Sequence, residues 1–329
     1  MRLLITGIRG FVGLHLARLT KDLGWDVFGT SRSPSAPLDL GAGRFAPVAG
    51  WAPELDQSPD KVLKEFQPDA IVHLAAESFA GSGGVGSPSL WKSNLDGTRI
   101  LLDSIAHHAP KALVLFVGTG LSYGPRSPNG SKSVESDPLS PPNAYAATKS
   151  CADILCQIAH KDPGLLVIRA RPFNHIGPGQ SAKFAVSSFT RQFAAMKKGL
   201  VPKVLRTGNL TSSRDFTDVR DIARGYIQLL QSGQPGEAYN LGSGIATSLE
   251  TVIEHLEKIT GIAPEIIPDP QLFRKSDPPV LLADISKIKS TTGWTPEIPL
   301  FKTLQDLWAD WSSRPDSDLI LENSFVQKA

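Results

Sequence analysis

Short apolar runs alternate with longer segments of helical periodicity through the first 170 residues, and this alternation limits the folds open to the chain. The runs lack a polar alternation, which is typical of strands buried on both faces in a parallel sheet. The intervening segments are long enough for right-handed crossover helices. The predicted strands cover residues 2–6, 25–30, 69–74, 112–117 and 165–170, and the predicted helices cover residues 11–23, 55–66, 88–108 and 142–160. The pattern predicts an α/β chain with a doubly wound parallel sheet.

The regular alternation of predicted strands and helices ends at about residue 172, after which the loops lengthen and prolines become frequent. We therefore expect a coenzyme-binding domain over residues 1–172 and a smaller α/β C-terminal substrate lobe over residues 173–312. Residues 238–241 could form a strand that returns to the first domain, so segments near 214–242 are expected to belong partly to it. Residues 313–329 lack periodicity and predict a loose tail. Helical patterns in this half of the chain cover residues 184–198, 219–231, 248–260 and 300–311.

Charge and cysteine content exclude several classes of protein. Lys and Arg number 34 against 32 Asp and Glu, and the resulting net charge of +2 excludes a strongly basic nucleic-acid binder. Two cysteines, Cys151 and Cys156, are too few for a disulfide scaffold or a four-cysteine zinc site. No apolar run reaches the length of about 18 residues that a membrane span needs. Met1 leads into the first strand without a secretory leader, which predicts a cytoplasmic protein.

A glycine-rich segment joins the first predicted strand to the first predicted helix. Gly7 allows a tight turn, Gly10 lets backbone N–H groups approach a pyrophosphate, and Gly13 lets the helix pack close to the sheet. The helix begins at Phe11 and Val12, where its N–H groups and the positive end of its dipole face the phosphates. The spacing alone would also suit an ordinary strand–helix turn. Its place directly after the first strand favours a Rossmann-type dinucleotide site.

The residues after the second strand indicate which dinucleotide is bound. An acidic residue there would accept a hydrogen bond from the ribose 2′-OH of NAD, but the segment Gly29-Thr30-Ser31-Arg32-Ser33 has none. Arg32 could pair with a 2′-phosphate while Ser31 donates a hydrogen bond to it. This predicts NADP(H), with NAD(H) possible. The alternative is a solvent-facing arginine in a loop.

Tyr145 and Lys149 stand four residues apart within one predicted helix, so both point from the same face. A phenol has a pKa near 10, and a nearby ammonium and a cationic nicotinamide ring are expected to lower it. The tyrosine could then exchange a proton with a carbonyl or alkoxide. Thr119 follows another strand at its carboxyl end and could hold the same substrate oxygen. Taken alone, the pair could be a helix-surface contact, and Thr119 could merely cap a turn.

Five motifs stand in a fixed order: Gly7-x-x-Gly10-x-x-Gly13, His73-Leu74-Ala75-Ala76, Asn94-Leu95-Asp96-Gly97-Thr98, Tyr145-x-x-x-Lys149 and Arg169-x-Arg171-Pro172-Phe173-Asn174. In this order they resemble the extended short-chain dehydrogenase/reductases, which act on nucleotide-activated sugars. The likeness covers residues 1–312. Within that family, residues 170–180 and 213–221 look most like the GDP-4-keto-6-deoxy-D-mannose reductases.

The resemblance implies a role for each matching residue. Thr119, Tyr145 and Lys149 match the catalytic triad, in which the tyrosine protonates O4 as hydride reaches C4 and the lysine binds the nicotinamide ribose. Asn94 matches a family asparagine that is structural or holds water. Helices 88–108 and 142–160 match those that form a homodimer. The remaining implied contacts are Leu74, Ala75, Ala76 and Pro172 with the coenzyme, and Asn174, Lys183, Arg214 and Arg274 with the nucleotide diphosphate of a GDP-sugar.

Two positions after Thr119 differ from those of related enzymes, and the differences exclude some of the reactions known in the family. The 4,6-dehydratases carry an acid–base pair directly after the triad Ser/Thr, and the C3/C5 epimerase-reductases carry a cysteine two residues after it. Here those positions hold Gly120 and Leu121, which cannot transfer protons. His175 is a weaker candidate for that role. Gly50-Trp51 replaces the family's usual Asp-Leu pair, so adenine binding there is open.

The resemblance therefore implies reduction of the C4 ketone of a GDP-4-keto-6-deoxy-hexose, giving GDP-D-rhamnose or its C4 epimer. One alternative is a nucleotide-sugar 4-epimerase with bound NAD. The absence of an acidic residue after the second strand, which would bind the ribose of NAD, is evidence against it. An alternative of another class is a non-catalytic dinucleotide-sensing protein, against which the retained tyrosine and lysine speak.

Overall fold

Seven parallel strands form the central sheet of the computed structural model, which describes residues 1–32, 36–51, 58–78, 86–125, 131–273 and 280–320. With strands numbered along the chain, these are β1 (Arg2–Thr6), β2 (Asp26–Ser31), β5 (Val48–Gly50), β6 (Ala70–His73), β7 (Leu113–Val117), β8 (Val167–Pro172) and β12 (Ala238–Leu241). Their spatial order is β12-β8-β7-β6-β1-β2-β5. The order reverses between β1 and β6, which opens a crevice at the carboxyl ends of these two strands. The predicted Rossmann-type α/β fold is confirmed.

Helices cover both faces of this sheet. The first face packs against α1 (Phe11–Asp22), α7 (Val219–Ser232) and α9 (Ser286–Thr292). The second face packs against α2 (Asp60–Phe66), α4 (Gly97–His108) and α5 (Ala144–Lys161). Burial on both faces explains why β1 and β6 read as unbroken apolar runs.

The helix predicted over residues 88–108 contains a widened turn. It comprises α3 (Pro88–Trp91), a π-helical turn at Lys92–Asp96, and α4. Single π turns occur frequently at functional sites, and this one contains Asn94.

The second half of the chain builds a further apolar core from smaller sheets and four helices. The helices are α6 (Ala185–Lys197), α8 (Leu249–Thr260), α10 (Leu300–Ser313) and α11 (Asp316–Leu319). The strands are β9 (Asn174–Ile176), β10 (Val204–Thr207), β11 (Ser213–Asp218), β13 (Ala246–Ser248), β14 (Glu265–Pro268) and β15 (Val280–Leu281). The segment at 238–241 does return to the large sheet, as β12 beside β8.

Two parts of the structure differ from the sequence predictions. Residues 313–320 are not a loose tail, because Leu319 in α11 is buried and its carbonyl accepts a hydrogen bond from Arg191 Nη1 at 2.6 Å. A hairpin that the sequence analysis missed, β3 (Leu38–Gly41) and β4 (Arg44–Ala46), lies between β2 and β5 and packs its apolar face near α1. The predicted helix over 55–66 is helical from Asp60, and residues 52–57 lie outside the described residues.

Candidate active site

The glycine loop at the end of β1 leaves no room for larger side chains. Gly7 adopts a φ of +71°, and a Cβ there would lie 3.0 Å from the backbone of Ala75. A Cβ on Gly13 would lie 2.6 Å from the carbonyl oxygen of Gly7. The N-cap of α1 is Gly10, which has no side chain with which to cap the helix. Phe11 and Val12 follow in the first turn of the helix, whose backbone N–H groups can bind an anion.

The turn after β6 forms the other wall of the crevice at this loop. Leu74, Ala75 and Ala76 are half-buried there, and Ala75 N donates a hydrogen bond to Thr6 Oγ1 at 3.1 Å. Ser31 and Arg32 lie at the carboxyl end of β2, Ser31 half-buried and Arg32 exposed. These predicted coenzyme residues are thus gathered at one edge of the sheet.

Trp51 occupies the position that follows β5. Its backbone N–H donates to Ser31 O at 2.8 Å. The residue is 2 % exposed, and its ring centroid lies 6.5 Å from that of the His73 imidazole. The tryptophan is therefore part of the core, beneath the edge where the sequence analysis left adenine binding open.

The three predicted catalytic residues meet at the carboxyl end of β7. Thr119 caps a 3₁₀ turn at Gly120–Tyr123, and its hydroxyl accepts from Leu121 N at 3.2 Å, which fixes its rotamer. Asn143 caps α5 by accepting from Ala146 N, and this places Tyr145 in the first turn of that helix. The Thr119 hydroxyl lies close enough to the Tyr145 phenol to lower the pKa of that phenol.

Lys149 lies one turn after Tyr145 and is 3 % exposed. Its Nζ is 4.6 Å from the ring centroid of Phe116, within the range of a cation–π contact. Burial lowers the pKa of Lys149 to about 8, and the neighbouring Cys156 and Asp153 act in the opposite direction.

Burial determines the direction of the Tyr145 pKa shift in the protein alone. The sequence predicts that a neighbouring ammonium and a cationic nicotinamide ring lower this pKa; in the protein alone burial raises it to about 12, and the interaction with Thr119 offsets part of that rise. A phenolate loses much of its hydration in such a site, which favours the neutral form. The phenol therefore holds its proton at neutral pH, as a proton donor must.

An ionic network behind the site fixes the elements that carry the triad. Asp153, one turn after Lys149 in α5, accepts from Arg169 Nη1 at 2.9 Å and from Arg171 Nε and Nη2 at 2.9 Å. Arg171 Nη1 also donates to the hydroxyl of Tyr123, in the turn that follows Thr119. The network connects α5, β8 and that turn.

Both N–H groups of the Asn94 amide donate within the protein, so only its Oδ1 could still accept from a water molecule. Its Oδ1 accepts from Glu77 N at 2.8 Å, and its Nδ2 donates to Glu77 O at 3.1 Å and to Thr148 Oγ1 at 3.0 Å. Of the two implied roles, the structure favours the structural one.

The predicted substrate residues lie along two neighbouring strands and a following loop. Asn174 begins β9 and pairs in register with Phe216, two residues after Arg214 on β11. Arg214 is 8 % exposed, and its Nη1 donates to Ser213 O at 2.9 Å. Lys183 is exposed before α6. Arg274 lies outside the described residues.

The segment that follows β9 also contacts α1, the helix that begins after the glycine loop. His15 Nε2 in α1 is hydrogen-bonded to Pro178 O at 2.9 Å, and Pro172 ends β8 at the edge shared with Thr119. Nothing in the helical spacing of His15 marks a contact with residue 178, so this contact could not be predicted from the sequence.

Comparison with known proteins agrees with this geometry. Residues 3–242 match the model of the NAD dependent epimerase/dehydratase family. The chain belongs to that family. It is 33% identical over 313 residues to a GDP-6-deoxy-D-mannose reductase from Pseudomonas aeruginosa, covering 95% of this chain and 98% of that protein. It is 30% identical over 335 residues to a UDP-glucose 4-epimerase from Corynebacterium glutamicum, covering 96% and 97%.

A solved structure extends the likeness to three dimensions. The NADPH complex of RMD from Pseudomonas aeruginosa superimposes with a TM-score of 0.78 at 30% identity, covering 95% of this chain and 100% of that one. The predicted resemblance to nucleotide-sugar enzymes is therefore confirmed, and this family member is an enzyme of the extended short-chain dehydrogenase/reductase type.

Two further features of this family member concern the described residues alone. None of their helices combines the length and apolarity needed to cross a bilayer. Within the same ranges, no three His, Cys, Asp or Glu side chains come together as a metal site would require.

Proposed function

We propose that the protein reduces the C4 ketone of a GDP-4-keto-6-deoxy-hexose to a GDP-6-deoxy-hexose, GDP-D-rhamnose or its C4 epimer, with NADPH as reductant. The observation that carries the proposal is that Thr119 and a protonated Tyr145 lie together, with Lys149 one turn further along α5, at the sheet edge that also carries the glycine loop. The similarity to a GDP-6-deoxy-D-mannose reductase supports the substrate class.

The glycine loop and its neighbours fit a dinucleotide. A Cβ on Gly7 would collide with the backbone of Ala75 and one on Gly13 with the carbonyl oxygen of Gly7, so the tight loop requires glycine at both positions. Ser31 ends β2 and Arg32 follows it, where a 2′-phosphate would lie. This supports NADP(H), with NAD(H) possible. Leu74, Ala75, Ala76 and Pro172 would line the coenzyme. When bound, the reduced nicotinamide supplies a hydride to C4.

The chain's own residues handle the proton and the orientation. Thr119 and Tyr145 both direct hydroxyls at the ketone oxygen, and Tyr145 gives its proton to O4 as C4 gains the hydride. The ketone becomes an alcohol, and the coenzyme loses the two electrons that the ketone gains. Lys149 holds the nicotinamide ribose and places a positive charge near the phenolate that forms.

The turn after Thr119 disfavours dehydration and C3/C5 epimerisation. A Cβ on Gly120 would lie 2.5 Å from the ring of Phe173, so this position has no room for an acid without a shift. Leu121 has no group that could remove a proton. Simple reduction needs neither.

A 4-epimerase with bound NAD is the second candidate, and the UDP-glucose 4-epimerase among the relatives favours it. Such an enzyme would retain its nicotinamide through purification and consume none. A non-catalytic sensor of dinucleotides is the alternative of another class, and the paired hydroxyls of the triad speak against it.

We further propose that the two parts of the chain bind different ligands and that the protein forms a dimer. Residues 1–172 would hold the coenzyme, while residues 173–312, with Asn174, Lys183, Arg214 and Arg274, would hold the nucleotide diphosphate. Ile154 and Ile158 are 48% and 54% exposed on one face of α5, which supports a homodimer through α4 and α5. We place the reaction in the cytoplasm, as the sequence predicts.

Incubation with NADPH and GDP-4-keto-6-deoxymannose tests the proposal. Stoichiometric oxidation of NADPH and formation of a GDP-6-deoxy-hexose are expected, and Tyr145→Phe should abolish both. An unchanged NADPH absorbance with the wild-type protein would refute the reductase assignment.

A further inference from the structure

His73 is a buried titratable residue that the proposed chemistry does not use. It ends β6 and is 2 % exposed. Its Nδ1 lies 2.8 Å from Thr6 Oγ1 in β1, and its Nε2 lies 3.1 Å from Thr98 Oγ1 in α4. Both threonines are at most 1 % exposed, so these polar groups can satisfy one another but not exchange readily with water.

The partners fix the direction of each bond. Thr98 Oγ1 donates its only proton to the backbone carbonyl of Asn94 at 2.8 Å, so it must accept from His73 Nε2. The neutral ring then accepts at Nδ1, and Thr6 Oγ1 donates to it. Thr6 Oγ1 accepts in turn from Ala75 N at 3.1 Å. His73 is therefore the Nε2–H tautomer.

The chain continues through the π turn to the catalytic helix. Asn94 Nδ2 donates to Thr148 Oγ1 at 3.0 Å, and Thr148 Oγ1 donates to the backbone carbonyl of Tyr145 at 2.8 Å. Asn94 and Thr148 are 1 % and 0 % exposed. One end of the chain is thus the coenzyme-lining turn at Ala75, and the other is the first turn of α5.

We propose that this buried hydrogen-bond chain sets the position of Tyr145 relative to the coenzyme, with His73 and Thr148 as positioning residues. It passes from Ala75 through Thr6, His73, Thr98, Asn94 and Thr148 to Tyr145. The inference rests on the proposed function for its kinetic readout, but not for its structural one. The series of hydrogen bonds enters Asn94 at its backbone carbonyl and leaves from its side-chain amide, and it ends on the backbone carbonyl of Tyr145. It can therefore fix the position of Tyr145, but it cannot carry a proton to the phenol.

The physical reason is the cost of leaving any member unpaired. Each of the five side chains is buried, and a buried polar group without a partner is unfavourable. A shift of α5 relative to β6 would break either the bond between Asn94 and Thr148 or the bond between His73 and Thr98, and would leave buried polar groups unpaired. Burial, with the charge of Lys149, lowers the pKa of His73 to about 3, which keeps the tautomer uncharged at neutral pH.

Thr148→Val removes one hydroxyl at nearly constant shape and tests the kinetic consequence. We expect kcat to fall roughly tenfold to a hundredfold, with KM for both substrates little changed and a larger deuterium isotope effect on hydride transfer. Thr148→Ser should restore most of the rate. Thr190→Val is the matched control, because Thr190 is also 0 % exposed and donates to the carbonyl of Val186 at 2.9 Å within α6. An unchanged kcat for Thr148→Val, or an equal loss in the control, would overturn the proposal.

Nitrogen NMR of the histidine rings in the wild-type protein supplies a readout independent of activity. The inference requires the His73 resonances of a neutral Nε2–H imidazole at pH 7. A cationic ring or the Nδ1–H tautomer would overturn it, even if Thr148→Val failed to fold. The two readouts separate the two proposals. If the wild-type protein does not oxidise NADPH but His73 is the neutral Nε2–H tautomer, the proposed function is wrong and the hydrogen-bond series is still supported.

Discussion

The ring of Phe11 lies parallel to the imidazole of His175, with 6.1 Å between their centroids and 7° between their planes. Phe11 is the first residue of the helix that follows the glycine loop, and His175 follows the proposed substrate residue Asn174. The bond from His15 to Pro178 adds a second contact between the same segments. The coenzyme loop and the proposed nucleotide-sugar segment are therefore in direct contact.

This contact predicts that a residue of the coenzyme loop affects the affinity for the nucleotide sugar. Phe11→Ala should raise KM for the GDP-sugar by up to about tenfold, because an aromatic pair contributes roughly 0.5–1.5 kcal/mol beyond its area. Phe301→Ala is the control, since Phe301 pairs with His255 at 5.4 Å far along the chain in α10. Equal effects of the two variants on KM would contradict the prediction.

Arg32→Ala should discriminate between the two coenzymes. We expect KM for NADPH to rise about tenfold or more, since one charge-assisted pair with the 2′-phosphate is lost, while KM for NADH stays the same. The matched control is Arg18→Ala, which removes an exposed arginine from α1. Steady-state kinetics with both coenzymes measure the effect, and a parallel rise in both KM values would assign Arg32 another role.

The pH dependence should reflect Lys149 and not Tyr145. The pKa of Lys149 is lowered to about 8, so the ammonium is present below that pH and is lost as the pH rises through it. The phenol, with a pKa of about 12, keeps its proton throughout this range. We expect kcat/KM to be level near neutrality and to fall above about pH 8. A rise in the reduction rate across pH 8 to 10 would oppose this assignment.

Asp153→Asn should destabilise the fold strongly. The side chain of Asp153 is 3 % exposed and is paired with two buried arginines, so its removal leaves positive charge without a partner. The free energy of unfolding should fall by about 3 kcal/mol or more. Asp103→Asn, which removes an exposed partner of Arg99, should cost at most about 0.5 kcal/mol. Denaturant unfolding of both variants measures the difference, and similar losses would count against the network.

The sequence contained enough information for the sheet and the catalytic pair. Apolar runs at β1, β6, β7 and β8 predict buried parallel strands because both faces of each strand are covered. The four-residue spacing of Tyr145 and Lys149 places them on one helix face whatever the tertiary structure.

Other features depend on contacts between distant residues, which no local pattern specifies. Thr6 and His73 are 67 residues apart along the chain, and only the pairing of β1 with β6 brings them together. The burial of the Tyr145 hydroxyl, which raises its pKa in the protein alone, depends on tertiary packing and could not be predicted from the sequence. The hairpin at β3 and β4 was missed, since each strand is short and lies in a segment rich in Pro, Ala and Gly.

Tracing the transferred hydrogen tests the central claim most directly. The wild-type protein would be given NADPH deuterated at the reactive carbon and a GDP-4-keto-6-deoxy-hexose, and the product analysed by NMR. We predict one deuterium at C4 of the GDP-6-deoxy-hexose for each NADPH oxidised. A product without deuterium at C4, or a sugar whose C4 configuration is inverted without net oxidation of NADPH, would contradict the account.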